Sequence, residues 1–132
     1  MTQTSSSRLR VRYAETDQMG IAYHGNYFAW FEVGRTDFLR QLGLTYRELE
    51  AQGLRLPVIE AKAHFLRPAL YDDVLDVFTH LSALGGASMT FDYTIAREGS
   101  QAALATGSTS HAAVDPSGRP RRLPPEVRRL LA

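Results

Sequence analysis

Cysteine is absent from the 132 residues. That excludes a disulfide scaffold, thiolate catalysis and any Cys-ligated metal. Histidine is scarce: the four, His24, His64, His80 and His111, include no HxxxH pair. No zinc motif is therefore written into the chain, and neither a metal nor a bound cofactor is expected. A dominant charge sign is also missing. The formal net charge is +1, so no strong field recommends nucleic acid as a partner. No stretch reaches the ~18 consecutive apolar residues of a membrane-spanning helix. The opening MTQTSSS lacks the apolar centre of a secretory leader. Phosphate-cradling Gly-rich loops of the Walker or dinucleotide type are absent. So is a Gly-x-Ser-x-Gly nucleophile elbow. The expectation is a cytoplasmic protein without an integral membrane segment.

What remains is organised around Tyr13 to Leu42. The chain's length suits one domain, residues 1–132, with 1–6 expected to be unstructured. Hydrophobic residues make up 44%, enough for a core. Tyr27, Phe31, Gly34, Phe38 and Leu42 recur at steps of three and four. That spacing predicts a helix over 26–42 with one apolar face, widened by Phe28, Trp30, Val33 and Leu39. Glu32, Arg35, Thr36, Arg40 and Gln41 fall largely on the other side, and Gly43 suits the helix end. Gly34 in mid-helix is unfavourable by ~1 kcal/mol relative to Ala. Close approach of the helix to a sheet would compensate.

Elsewhere the period is two. Arg8 to Ala14 alternates Leu9, Val11 and Tyr13 with arginines, as a half-buried strand does. Thr45-x-x-Glu48 has the form of a capping box opening a short helix over 46–52. Four longer strands follow: 58–67, 74–84, 88–97 and 101–114. On the first, Ile59, Ala61, Ala63 and Phe65 share a face. Tyr71-Asp72-Asp73, Gly85-Gly86 and Glu98-Gly99-Ser100 supply the turns between them. Pro124-Pro125 can open a last short helix. Tight turns imply antiparallel pairing, so the expected class is α+β, with about five antiparallel strands and one long helix. One helix covers only one sheet face, which predicts a homodimer, or a homotetramer.

Asp17 is the leading chemical candidate. Gly20 lets its loop bend sharply, and the loop delivers an acid to the start of the long helix. Free N–H groups there, around His24 to Asn26, can stabilise charge developing on a carbonyl oxygen. An acid beside such a site is the minimum equipment for hydrolysing an acyl group. The plain alternative is that Asp17 is a loop or Asx-turn residue. His24 is a candidate base, hydrogen-bond donor or structural residue.

The block Tyr13-Ala14-Glu15-Thr16-Asp17-Gln18-Met19-Gly20, then Tyr23-His24-Gly25-Asn26-Tyr27 and Phe31-Glu32-x-x-Arg35, resembles the 4-hydroxybenzoyl-CoA thioesterase family. The closest likeness is to its bacterial branch of short-chain and aromatic acyl-CoA thioesterases. Phe65-Leu66-Arg67-Pro68-Ala69 and Tyr71-Asp72-Asp73 are similar to a second block of that family. The resemblance spans essentially the whole chain. It implies a hot-dog fold, an antiparallel sheet wrapped round a long central helix and assembled as dimers or tetramers. It also implies acyl-CoA as substrate. By position, Asp17 resembles the carboxylate that attacks the thioester or activates water, with the His24 N–H holding the carbonyl oxygen. Tyr13 and the His24 side chain resemble supporting groups. Gly25, Asn26, Tyr27 and Arg67 fall where substrate is bound, and the basic residues from Arg119 to Arg129 are further candidates for CoA phosphates.

Three readings compete. The first is an acyl-CoA thioesterase. The second is a non-catalytic acyl-CoA-binding or interaction module on the same fold. The third, a hot-dog dehydratase, needs a His and acid pair that the Asp17 block does not resemble. Within the first, Glu32 on the helix is a rival acid to Asp17.

Overall fold

A computed structural model describes residues 3–132. Five strands, β1 (Thr4–Arg10), β2 (Val58–Phe65), β3 (Val74–Leu84), β4 (Ser88–Arg97) and β5 (Ala103–Ala112), form one sheet in the order β1-β3-β4-β5-β2. Every neighbouring pair is antiparallel. The helices are α1 (Asn26–Gln41), α2 (Tyr46–Ala51) and α3 (Pro125–Leu131). The chain from β1 to β2 carries α1 and α2 from one edge of the sheet to the other. The sheet therefore curves round α1, as the hot-dog arrangement requires.

Helix α1 forms where its apolar spacing predicts and buries Tyr27, Trp30, Phe31, Phe38 and Leu39. The Phe31 ring stacks on Tyr93 of β4 with centroids 4.4 Å apart, and Phe38 meets Phe91 edge-on. Two glycines permit this approach. A Cβ on Gly34 would land on Thr79 Oγ1 of β3, and one on Gly107 of β5 would stand 2.5 Å from the Phe31 ring. Gly43, at φ +85°, terminates the helix in the left-handed region. Thr45 caps α2 through a hydrogen bond from the Glu48 N–H, and the Glu48 carboxylate turns back to accept from the Thr45 hydroxyl at 3.0 Å rather than from its N–H, so half of the expected capping box forms.

Four readings need correction. The first strand starts and ends earlier than its alternation suggests. Residues 4–6, expected to be unstructured, are strand, while residues 1 and 2 lie outside the described residues. Pairing from Thr4↔His80 to Arg10↔Val74 recruits the serines despite their low strand preference. Tyr13 then falls in a short 3₁₀ turn (Tyr13–Glu15), where it is 77% exposed. On β2 the expected face is not buried: Ile59 and Phe65 are exposed, and only Ala63 is partly covered. This strand is an edge that the helix meets only in part, through Tyr27 against Phe65, and a register shift between Val58 and Glu60 interrupts its alternation. Phe28 and Val33 of α1 are exposed, whereas Arg35, assigned to the polar side, is buried.

Candidate active site

The loop after β1 is tied down at both ends by Glu15. This residue is buried, and its carboxylate accepts hydrogen bonds from the Arg12 N–H (2.8 Å) and the Trp30 indole N–H (3.0 Å). Its backbone oxygen accepts from the Tyr23 N–H (2.8 Å) and the Asn26 amide (2.7 Å). One residue thus joins the end of β1, the far side of the loop and the first turn of α1. Burial alone raises the Glu15 pKa. The hydrogen bonds from Arg12 and Trp30, with the Arg12 guanidinium, outweigh it and hold the carboxyl below its ordinary value.

Between those anchors the loop doubles back. The Asp17 N–H donates to the Ile21 oxygen (2.9 Å) and the Gly20 N–H to the Asp17 oxygen (3.0 Å). Gly20 adopts φ +80°, which its missing Cβ allows. The Met19 N–H donates to Asp17 Oδ1 at 2.9 Å. This is an Asx turn, so the plain reading of Asp17 holds for that oxygen. The turn also fixes the carboxylate's orientation. Oδ2 accepts no hydrogen bond among the described residues.

Asp17 and His24 line one cavity of about 320 Å³ with Tyr27, Phe65, Arg67 and Pro68. The Ala22 N–H bonds the Ala69 oxygen at 2.8 Å and so fastens the loop to the segment after β2. Helix α1 begins at the cavity without a side-chain cap. The Asn26 and Tyr27 N–H groups turn back to the Tyr23 and His24 oxygens. Those of His24 and Gly25 have no backbone acceptor among the described residues. Free donors at a helix N-terminus are a site for negative charge.

The candidates named from sequence separate in space. Asp17, His24, Tyr27 and Arg67 share the cavity wall. The buried Tyr27 hydroxyl is occupied, accepting from the Ala69 N–H at 3.3 Å, so its ring rather than its oxygen serves the cavity. Gly25 and Asn26 stand behind, with the Asn26 side chain turned to Glu15. Tyr13 is not on the wall; its ring packs edge-on against Tyr71, with centroids 5.5 Å apart. The rival acid Glu32 lies outside it too, facing Arg35 on its own helix at 3.9 Å. Sequence reasoning missed Glu15 as an organiser. The available signal was Trp30, whose indole N–H needs an acceptor once buried. Among the described residues, no group of His, Asp or Glu is placed to hold a metal ion, and no helix is long and apolar enough to cross a membrane.

The family model for the thioesterase-like superfamily matches residues 11–131. The chain is 37% identical to the putative acyl-CoA thioesterase YneP of Bacillus subtilis, with 84% of this chain and 80% of YneP aligned. It is 30% identical to the acyl-CoA thioester hydrolase YbgC of Escherichia coli, over 90% of this chain and 89% of that one. Among solved structures, the DHNA-CoA thioesterase of Staphylococcus aureus superposes with a TM-score of 0.87 at 34% identity, covering 91% of this chain and 80% of the other.

Proposed function

The chain belongs to the thioesterase-like superfamily and is a thioester hydrolase, and from that membership we propose that it cleaves acyl-CoA by means of Asp17. The reaction takes an acyl-CoA and water to a carboxylic acid and free CoA thiol. Asp17 delivers the oxygen, by attacking the thioester carbonyl or by taking a proton from the water that does. Charge developing on the carbonyl oxygen is held by the N–H of His24 at the uncapped start of α1. Arg67, exposed at the cavity mouth, meets CoA phosphate. Tyr27 and Phe65 present aromatic surface to the acyl group. A cytoplasmic location goes with this substrate. The observation that carries the reading is that Asp17 and His24, whose N–H has no backbone acceptor among the described residues, line one cavity at the start of α1.

The assay is thiol release from a panel of aromatic, short-chain and longer acyl-CoAs. Asp17→Asn keeps the side chain's shape and the Asx turn but removes the charge. Loss of a general base lowers rate by on the order of 10²–10⁴. A fall in kcat of at least that size, with KM little changed, is expected. Normal turnover by Asp17→Asn would move the assignment to Glu32. Acyl-CoA binding without turnover by the wild-type protein would favour the non-catalytic reading.

We further propose that the protein works as a homodimer. Helix α1 covers one sheet face, and β2 leaves an exposed edge with Val58, Ile59 and Phe65 in solvent. Such an edge is a template for pairing with another chain. A monodisperse monomer in light scattering at micromolar concentration would overturn this.

A further inference from the structure

The seam between α1 and β2 continues beyond the Asp17 cavity. There Phe28, Glu32 and Arg35 of α1 face Val58 and Ala61 of β2 across a second cavity of about 270 Å³. Arg35 is only 8% exposed, yet its Nε has no hydrogen-bond acceptor among the described residues. Its neighbours Tyr46 and Tyr93 offer neutral hydroxyls. The nearest carboxylate, Glu32 on the same helix, stops 3.9 Å short with a side chain 67% exposed. A guanidinium does not shed its proton. Buried without a well-placed anion, it is strongly unfavourable. The seam thus carries a buried cation whose Nε lacks an acceptor among the described residues and, one turn away, an exposed anion that meets it only at 3.9 Å.

We propose that the acceptor is Glu32 of a second copy of this chain, so that Glu32 and Arg35 are exchanged across the dimer seam. This rests on the dimer proposed above and names the contacts that specify it. One edge of β2 is taken by β5, and the other has no strand partner among the described residues. Pairing two such edges antiparallel about a two-fold axis lays the two α1 helices side by side in opposite directions. Glu32 and Arg35 lie ~4.5 Å apart along the helix axis. A two-fold passing between them sets each carboxylate against the other copy's guanidinium, the reciprocity that an isologous contact demands. Full overlap of the two strands also brings the Val58 end of one beside the Phe65 end of the other. Phe65 walls the Asp17 cavity, so the second copy closes that cavity's open side.

The test is charge reversal followed by mixing. Glu32→Arg yields a copy with two cations on the seam, and Arg35→Glu a copy with two anions. Each alone must dimerise with itself through like charges. Sedimentation velocity should show the dissociation constant of Glu32→Arg raised roughly 30-fold or more. Mixed, the two variants should form a heterodimer of wild-type tightness, because both pairs are then restored. An ion pair confined to one helix predicts no such rescue. Arg35 is buried, so its reversal can disturb folding, which circular dichroism reports. Glu32 is exposed, so Glu32→Arg decides the matter by itself if needed. A wild-type monomer would sink the dimer itself. A wild-type dimer matched in tightness by Glu32→Arg would sink only the exchanged pair. Saturable benzoate binding to such a dimer, lost in Arg35→Gln, would assign the cavity to a carboxylate ligand and overturn the pairing.

Discussion

Gly34→Ala has an expected effect whose sign depends on where the residue points. On a solvent-facing turn of α1, adding one methyl group would stabilise the helix by ~1 kcal/mol. Here the new Cβ lands on Thr79 Oγ1 and stands 2.9 Å from Val77 Cγ1. Both residues are fully buried on β3, so neither can swing into solvent. Inserting a methyl into so close a contact typically costs ~1–3 kcal/mol. Setting the gain against the loss leaves a net destabilisation of roughly 0–2 kcal/mol. For a chain of this length that lowers the melting temperature by up to roughly 8 °C. Gly34→Leu should fall further, since its larger side chain finds the same wall. Thermal melts at one fixed protein concentration measure both, which matters because association shifts the midpoint. Combining Gly34→Ala with Val77→Ala should give a favourable coupling of ~0.5 kcal/mol or more, as Val77 supplies part of the clash. A Gly34→Ala protein melting ~3–5 °C above wild type would show helix propensity acting alone and refute the close approach.

His24→Ala should lower kcat less than Asp17→Asn does, because the oxyanion donor proposed there is a backbone N–H; equal losses would give the imidazole a direct role. Glu15→Gln turns an N–H₂ towards the Arg12 or Trp30 N–H and should cost ~1–3 kcal/mol in a melt, while also lowering kcat through the displaced loop; loss of stability with full turnover would separate Glu15 from the site. Burial, aided by the Arg35 charge and opposed by the hydrogen bond to the Leu56 oxygen, pushes the His111 pKa down. The unfolded chain then takes up a proton near pH ~6.5 that the folded chain refuses. Stability should be flat above that pH and fall as pH drops towards the depressed folded value, and His111→Asn should remove this slope. In H₂¹⁸O, a single turnover that leaves label in Asp17 would identify it as the nucleophile, because water activated by a base carries its oxygen only into the product acid.

Much of the fold was legible because its periods are regular. The three-and-four steps from Tyr27 to Leu42 gave α1, and Gly34 pointed to the sheet before the sheet was known. Arg35 was misread because helical spacing assigns faces by average polarity. The Tyr46 and Tyr93 hydroxyls that surround it come from other elements and leave no trace in its own neighbourhood of sequence. β1 was cut short because Ser5 to Ser7 carry no strand signal of their own; their partners are the distant residues 77–79. The apolar side of β2 was read correctly as a pattern and wrongly as a burial, since alternation cannot say where a helix stops covering a sheet. For the site, the Asp17 loop and its proximity to α1 followed from order along the chain. Tyr13 did not join them because a 3₁₀ turn over Tyr13–Glu15, closed by Arg12 and Glu15, carries its ring to Tyr71 instead.

The two edge strands also dictate an order of assembly. β3, β4 and β5 follow one another as hairpins, so their pairing closes only short loops. β1 must wait for β3, with Thr4 meeting His80, and β2 must wait for β5, with Val58 meeting His111. Long closures of this kind form late and open early. The loop carrying Asp17 hangs between β1 and α1, so it takes shape only after the central meander has provided a surface for both. On the role proposed for Asp17, hydrolytic competence should therefore be the last property the folding chain acquires. On warming it is the first to go: turnover should fade while most of the sheet still resists hydrogen exchange.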